Sequence, residues 1–322
     1  MKCFQFSFTR IPVSAFGMGT SDFGSVVSDD DACRLIELFL QAGGNFFDTA
    51  HCYAFWMPNG LGASERSLGN AIRRLGVRDS VVVASKGGHP PDPQFPQYHR
   101  PGPYLSPETI CSDIQESVER LGFAPIDLYF LHRDDGETPV GEIIEVLNEA
   151  IQQGSIAALG ASNWHTERIA EANAYAKAKG LQGFAVSEVH WSLAKPNWEP
   201  TETEPAMRFV GEQEEAWHLQ SGLPIIAYSA TASGYFARNP RNAGLYNNAL
   251  NEGRRERAEQ MAQELSCTPT QVALAYLLNQ PIPTVPLFGT ANPDHLREIL
   301  AAAEIVLTPA QVKWLRIGTT EL

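Results

Sequence analysis

The sequence has no Cys-x-x-Cys pair and little cysteine of any kind. Its five thiols, Cys3, Cys33, Cys52, Cys111 and Cys267, are odd in number and scattered. That pattern argues against a disulfide framework or a cysteine zinc site and suits free thiols in a reducing, cytoplasmic setting. No apolar run approaches the length of a membrane span, so no membrane contact is expected. The opening segment MKCFQFSFTRIPVS has neither a continuous apolar core nor a small-residue cleavage site, so no secretory signal is expected. Positive charge is scarce. There are 24 Lys and Arg against 37 Asp and Glu, a formal charge of -13, and such a surface repels phosphate backbones and makes nucleic acid a poor partner. No low-complexity tract or linker divides the chain, so one catalytic domain over 1–322 is expected.

What the chain does have is a regular alternation. Short apolar runs at 13–20, 45–50, 81–88, 126–132, 156–163, 184–192, 224–230 and 284–290 read as strands. Segments of helical period lie between or after them: 29–44, 63–76, 106–122, 140–154, 166–180, then GEQEEAWHLQSG, RRERAEQMAQELS and PDHLREILAAAE. The strands are apolar throughout, as in parallel strands covered on both faces. Eight such units predict an α/β fold, a (β/α)8 TIM barrel. A doubly wound sheet would carry G-x-G-x-x-G after its first strand. In GMGTSDFG, Gly17 and Gly19 fit, but Gly24 comes two positions late. Three long segments, 89–107, 193–210 and 231–253, each follow a strand. In a barrel they are long loops at the C-terminal face, where active sites are built; the plainer alternative is surface insertions.

Polar residues stand at the ends of successive strands. Asp48 ends the second, with Tyr53 in the following loop; Lys86 ends the third and His132 the fourth. Taken singly, each has a plain structural reading: a turn cap, a snorkelling lysine, a satisfied histidine. Four at one rim in consecutive units favour a site. A phenol gives up its proton slowly near neutrality, and a nearby ammonium favours the phenolate. A carboxylate would keep the ammonium from being buried unpaired, and a histidine can donate to a substrate oxygen. The set suits protonation of a carbonyl oxygen as it becomes an alkoxide, with the hydride supplied by a cofactor. His51 and Cys52 have no second ligand cluster in the sequence, so no metal site is expected. Cys52 lies beside the acid, where its oxidation would inhibit.

The segments FFDTAHCY, VVASKGG, DLYFLHRDD, LGASNW and IIAYSA, in that order, resemble the aldo-keto reductases, and the resemblance runs from FGMGTSDFG to VPLFGTANPDHLREIL. It implies the barrel and metal-free, NAD(P)H-dependent carbonyl reduction. Tyr53 would be the general acid, supported by Lys86 and Asp48, and His132 would orient the carbonyl. Ser162, Asn163 and Glu188 would meet the nicotinamide carboxamide, and Tyr228 would stack on the ring. Ser229, Ser233 and Gly234 would follow the pyrophosphate. Gly19, Thr20, Gly289, Thr290, Asn292, His295 and Glu298 complete the implied cofactor contacts. Two positions depart from the pattern. Glu188 stands where many relatives have Gln. Gly289 and His295 stand where NADPH-preferring relatives often have Lys and Arg, leaving Arg238, Arg241 or the GRRER run as substitutes. NADPH is the expected cofactor, with NADH in contention.

Trp56, Tyr98, Trp191 and Trp198 are the expected substrate-binding aromatics, beside Phe55, His99 and Tyr104, the plainer alternative being that they pack the loops onto the barrel; His51, Asn197 and Arg133 are polar neighbours. They suggest a small-molecule polar carbonyl, such as a sugar or oxidised sugar derivative. Two other readings stay open: a Schiff-base lyase using Lys86, and a nucleotide-binding regulatory subunit of the same fold. Oligomeric state is not legible.

Overall fold

The computed structural model of the chain describes residues 1–92, 94–95, 98, 102–197, 207–239 and 243–319. Two short strands, β1 (Cys3–Phe4) and β2 (Val13–Ser14), pair antiparallel. Eight parallel strands then close a barrel: β3 (Gly17–Gly19), β4 (Phe46–Asp48), β5 (Val82–Gly87), β6 (Leu128–Leu131), β7 (Leu159–Ser162), β8 (Phe184–His190), β9 (Ile225–Tyr228) and β10 (Thr284–Phe288). Each pairs with the next in chain order, and β10 returns to β3. This is the (β/α)8 barrel the alternation predicts.

Around it run α1 (Asp29–Gln41), α2 (Ala63–Leu75), α3 (Pro107–Leu121), α4 (Val140–Gln152), α5 (Thr166–Lys179), α6 (Glu212–Ser221), α7 (Ala243–Tyr246), α8 (Ala249–Leu265), α9 (Pro269–Leu278), α10 (Pro293–Ala301) and α11 (Pro309–Ile317). Local chemistry sets their ends. Ser106 caps α3 by accepting from the Thr109 amide, Pro107 takes the first turn, and Gly122 closes the helix at φ 78°. Thr268 and Thr308 form capping boxes with Gln271 and Gln311 at α9 and α11.

Side chains of a strand alternate between its two faces. In this barrel one face packs inward and the other against the helices. Phe46, Val82, Ala84, Leu128, Phe130, Ala158, Val186, Ile226, Val285 and Leu287 form one buried cluster inside the barrel, with Phe4, Phe6 and Phe8 of the N-terminal segment packed against it. The phenyl rings of that segment stack in sequence, with centroids 5.6 and 5.0 Å apart. Phe47, Val83, Tyr129 and Leu159 belong to the larger cluster shared with the helices.

Four elements differ from the sequence expectation. The run 13–20 is two strands, because the Ser14 amide donates to Asn45 Oδ1 at 2.8 Å and its hydroxyl donates to the Phe16 carbonyl at 2.7 Å, turning the chain between β2 and β3. The helix expected from 254 begins at Ala249, capped by Asn248. Helices α9 and α11 were not anticipated; α9 is apolar around most of its surface because it is buried, and so carries little amphipathic signal.

Truncating a ring inside the barrel tests this packing. Phe130→Ala should cost about 3–5 kcal/mol, read as a lowered urea midpoint; a midpoint unchanged from the parent would mean the interior repacks freely.

Candidate active site at the barrel mouth

The inward face that is apolar at the bottom of the barrel becomes polar at its C-terminal end. Asp48 follows Phe46 by one pleat, Lys86 follows Val82 and Ala84, Glu188 follows Val186, and Tyr228 follows Ile226. His132 lies one residue beyond β6. The strand period therefore delivers these groups to one mouth.

Lys86 is the hub. Its side chain is fully buried, and its ammonium donates to Asp48 Oδ1 at 2.5 Å, the Thr49 carbonyl at 3.0 Å and the Tyr53 hydroxyl at 3.1 Å. Glu188 Oε1 lies 3.4 Å from the same nitrogen. Burial alone would lower the Lys86 pKa, but Asp48 and Glu188 outweigh it and raise it well above the ordinary value, so the amine stays charged. Two buried carboxyls then share one cation. Burial raises both, and Asp48 has the closer contact with Lys86. Glu188 is pushed up to about 8, by burial first and the Asp48 charge second. Near neutrality the consistent state is a charged Lys86–Asp48 pair with Glu188 held as a neutral acid beside it by burial and the Asp48 charge. A Schiff-base lysine must be neutral to attack, so the held ammonium disfavours the lyase reading.

Tyr53 sits in a tight turn: its amide donates to the Ala50 carbonyl at 3.1 Å, and Ala54 takes φ 68°. Burial raises the phenol pKa, and Lys86 acts in the lowering direction but is outweighed. The phenol is thus protonated near neutrality. His132 is pushed well down by burial, with Arg133 and His89 adding to the shift, so it is a neutral imidazole. Its Nδ1 lies 3.4 Å from the Cys52 thiol, and its ring meets Tyr53 edge-on at 5.9 Å.

The loop carrying Tyr53 is anchored from below. His51 Nε2 lies 2.9 Å from Glu116, Arg120 donates to Glu116 at 2.6 Å and to the His51 carbonyl at 3.1 Å, and Ser85 donates to Glu65, which also holds Arg120. Thr20 is buried and spends its amide and hydroxyl on the Asp48 carbonyl, both at 2.9 Å, so it positions β4. Apart from the Glu116–Arg120 pair, four residues apart on α3, these links were not legible, because each joins different βα units with no spacing signature.

On the far side of the mouth, Asn163 adopts φ 60°, a left-handed conformation that Asn tolerates. Its amide donates to Ser162 Oγ at 3.0 Å, and its oxygen accepts from Tyr228 at 2.7 Å and from the Arg208 amide at 3.1 Å. The loop after β9 holds Ser229, Ala232, Ser233 and Gly234 at positive φ. Such turns gather backbone N–H groups into an anion-binding concavity. Gly289, Thr290 and Asn292 lead into α10, where Asn292 caps the first turn and His295 is exposed. Glu298 is engaged elsewhere: it accepts from Thr268 at 2.7 Å and its carbonyl from Gln271 at 2.8 Å.

The arginines considered as phosphate partners have structural employment. Arg238 pairs with Glu259 at 2.7 Å. In the GRRER run, Arg254 and Arg257 donate to carbonyls at the end of α11, while Arg255 lies 5.0 Å over the Tyr235 ring. Arg241 lies outside the described residues, as do Trp198 and His99. Of the described aromatics, Trp56 is exposed, whereas Tyr98 and Trp191 are buried in side-chain packing. Tyr98 sits against Phe55 at 5.0 Å and His89 at 5.6 Å. Among the described residues, no helix is long and apolar enough to cross a membrane.

Comparison with known proteins supplies a family. The model for the Aldo/keto reductase family matches residues 15–317. An aldo-keto reductase of Gibberella moniliformis is 29% identical over 98% of this chain and 93% of its own. An uncharacterized oxidoreductase, YrpG, of Bacillus subtilis is 30% identical over 93% and 90%. Norsolorinic acid reductase of Aspergillus flavus is 27% identical over 94% and 77%. The crystal structure of a thermostable aldo-keto reductase, Tm1743, with the inhibitor epalrestat superposes with a TM-score of 0.73 at 22% identity, covering 98% of this chain and 99% of that one, a likeness of fold.

The Glu188 geometry generates a stability prediction. An unfolded Glu loses its proton near pH 4.3, whereas folded Glu188 keeps it until about 8. Between these values the folded state binds more protons, so this group makes stability fall as pH rises. Glu188→Gln should therefore melt higher than the parent by a margin that grows from pH 5 to pH 8. A margin independent of pH would contradict the neutral-acid assignment.

Proposed function

The chain belongs to the aldo/keto reductase family, and from that premise we propose that it reduces the carbonyl of a small polar aldehyde or ketone to an alcohol, using NADPH. The observation that carries this reading is the placement of one buried ammonium, Lys86, between Asp48 and the Tyr53 hydroxyl. When bound, a nicotinamide cofactor would supply the hydride that the carbonyl carbon takes up. Tyr53 gives its phenolic proton to the carbonyl oxygen as negative charge develops there, and Lys86 stabilises the phenolate left behind. Asp48 keeps Lys86 charged and aimed. Neutral His132 donates a hydrogen bond to the same oxygen, favouring the alkoxide-like state.

The donors around the mouth fit such a cofactor. Ser162 and Asn163 offer a hydroxyl and an amide at the place expected for a carboxamide, with Glu188 adjacent on β8. Tyr228 offers a ring at the end of β9, and the left-handed turns at 229–234 offer N–H groups to a pyrophosphate. At the adenosine end, the α10 N-terminus and Thr290 and Asn292 would meet a 2′-phosphate without a dedicated cation. A polar substrate agrees with the polar rim; a sugar or oxidised sugar derivative is the class we favour.

Two outcomes are expected. Tyr53→Phe should lower turnover by about 10²–10⁴-fold with cofactor affinity nearly unchanged, measured by steady-state kinetics and by quenching of tryptophan fluorescence; near-normal turnover would remove Tyr53 from the acid role. A charged hydrogen bond contributes about 1.5–3 kcal/mol. Without such a partner for the 2′-phosphate, the NADPH and NADH affinities should differ by less than about tenfold. A preference above about a hundredfold would mean that a cation other than these arginines reaches the phosphate.

A further inference from the structure

One polar cluster at the mouth is not used by the proposed chemistry as a cluster. Cys52, His89 and His132 each bring one ligand atom to a common point, all within 4.8 Å of one another. They come from three places in the sequence: the turn before Tyr53, the residue after Gly88, and the end of β6. Gly88 at φ 67° turns the chain after Lys86, and His89 returns over the mouth with its ring 4.9 Å from that of His132. We propose that Cys52, His89 and His132 form a binding site for Zn2+, through one sulfur and two imidazole nitrogens.

Three features carry this. The first is distance. With bonds of about 2.3 Å to sulfur and about 2.0–2.1 Å to nitrogen, a tetrahedral zinc holds its ligand atoms roughly 3.3–3.6 Å apart. Cys52 Sγ and His132 Nδ1 are already 3.4 Å apart. The remaining contraction falls on His89, which is half-buried in a long loop. The second is tautomer. His89 Nδ1 lies 2.7 Å from the Pro90 carbonyl. A carbonyl only accepts, so Nδ1 carries the proton and the Nε2 lone pair is bare, the arrangement seen behind metal-bound histidines. The third is ligand chemistry. One thiolate and two neutral imidazoles suit a borderline-soft ion, and three protein ligands leave a fourth position for water or a substrate oxygen.

Binding forms a sulfur–zinc bond and breaks the Cys52 S–H bond, and the thiol proton leaves to solvent; no redox change is involved. The positive charges of Arg133 and Lys86 act on His132. They oppose a dication, so occupancy is reversible and weaker than in a four-ligand structural site. Resting on the role proposed for His132, zinc on its Nδ1 would draw the ring toward Cys52 and His89, shift the opposite N–H off the carbonyl oxygen and so inhibit reduction.

The test uses the full-length protein, stripped with chelator and titrated with Co2+ as a coloured stand-in. A thiolate-to-cobalt charge-transfer band with tetrahedral visible bands should saturate at one equivalent and vanish on adding Zn2+. Cys52→Ser should lose the charge-transfer band, and His89→Gln should weaken binding at least tenfold, with circular dichroism confirming that each variant is folded. If Cys52→Ser does not fold, His89→Gln decides alone. No saturable band at one equivalent, or the same band at the same affinity in the folded variants, would overturn the site whatever the enzyme's activity. Chelator-reversible inhibition of turnover by Zn2+ should follow the same occupancy. A site that binds zinc without inhibition would leave the site standing and overturn the inhibitory role given to it through His132.

Discussion

Lys86 carries a full charge where water does not reach, and the rest of the mouth is arranged around that constraint. A buried ion is tolerated only if partners replace the lost hydration. Asp48 supplies the counter-charge, the Thr49 carbonyl and the Tyr53 hydroxyl accept from the remaining N–H bonds, and Glu188 stands close as a neutral acid. Removing any one of them leaves a buried polar group short of a partner. The arrangement is therefore costly to vary piecemeal, and it fixes the tyrosine hydroxyl beside a positive charge.

The barrel makes this affordable because closure and side-chain alternation stack apolar layers beneath a polar one. Phe46, Val82, Ala84, Phe130 and Val186 exclude water from below, and the phenyl rings of the N-terminal segment close the bottom. Above, the loops are anchored where chemistry is placed: the turn bearing Tyr53 rests on the His51–Glu116–Arg120–Glu65 network. Low dielectric then strengthens each contact at Lys86 and also raises the Tyr53 and Glu188 pKa values, so both hold protons near neutrality.

Much of this was legible in the sequence. Eight apolar runs reported the strands because parallel barrel strands are buried on both faces, and Asp48, Lys86 and His132 announced themselves as polar residues ending apolar runs. The order of these segments pointed to the family. What was hidden depends on distance between units. Nothing in spacing links Glu188 to Lys86, or joins Cys52 and His89 to His132. The lowering of the Tyr53 pKa by Lys86 was expected in sign, but the weight of burial against it is a property of the closed mouth. Buried α9 lacked periodicity, and the arginines of GRRER looked free until α11, an unanticipated helix, was seen to accept from two of them. Tyr98 packs against Phe55 and His89, while Trp191, although buried, lines a cavity with His190, Phe209 and Arg254.

The central claim is that the buried ammonium drives proton delivery from Tyr53 during hydride transfer. It is tested most directly by following deuterium from 4-deuterated NADPH to the product carbinol carbon of a small hydroxyaldehyde, in the parent and in Lys86→Met under single-turnover conditions. The account predicts label at that carbon in the parent, and transfer slowed at least about a hundredfold in Lys86→Met samples that are folded and saturated with cofactor. Transfer at the parental rate in that variant would show that the ammonium is not needed and would contradict the account.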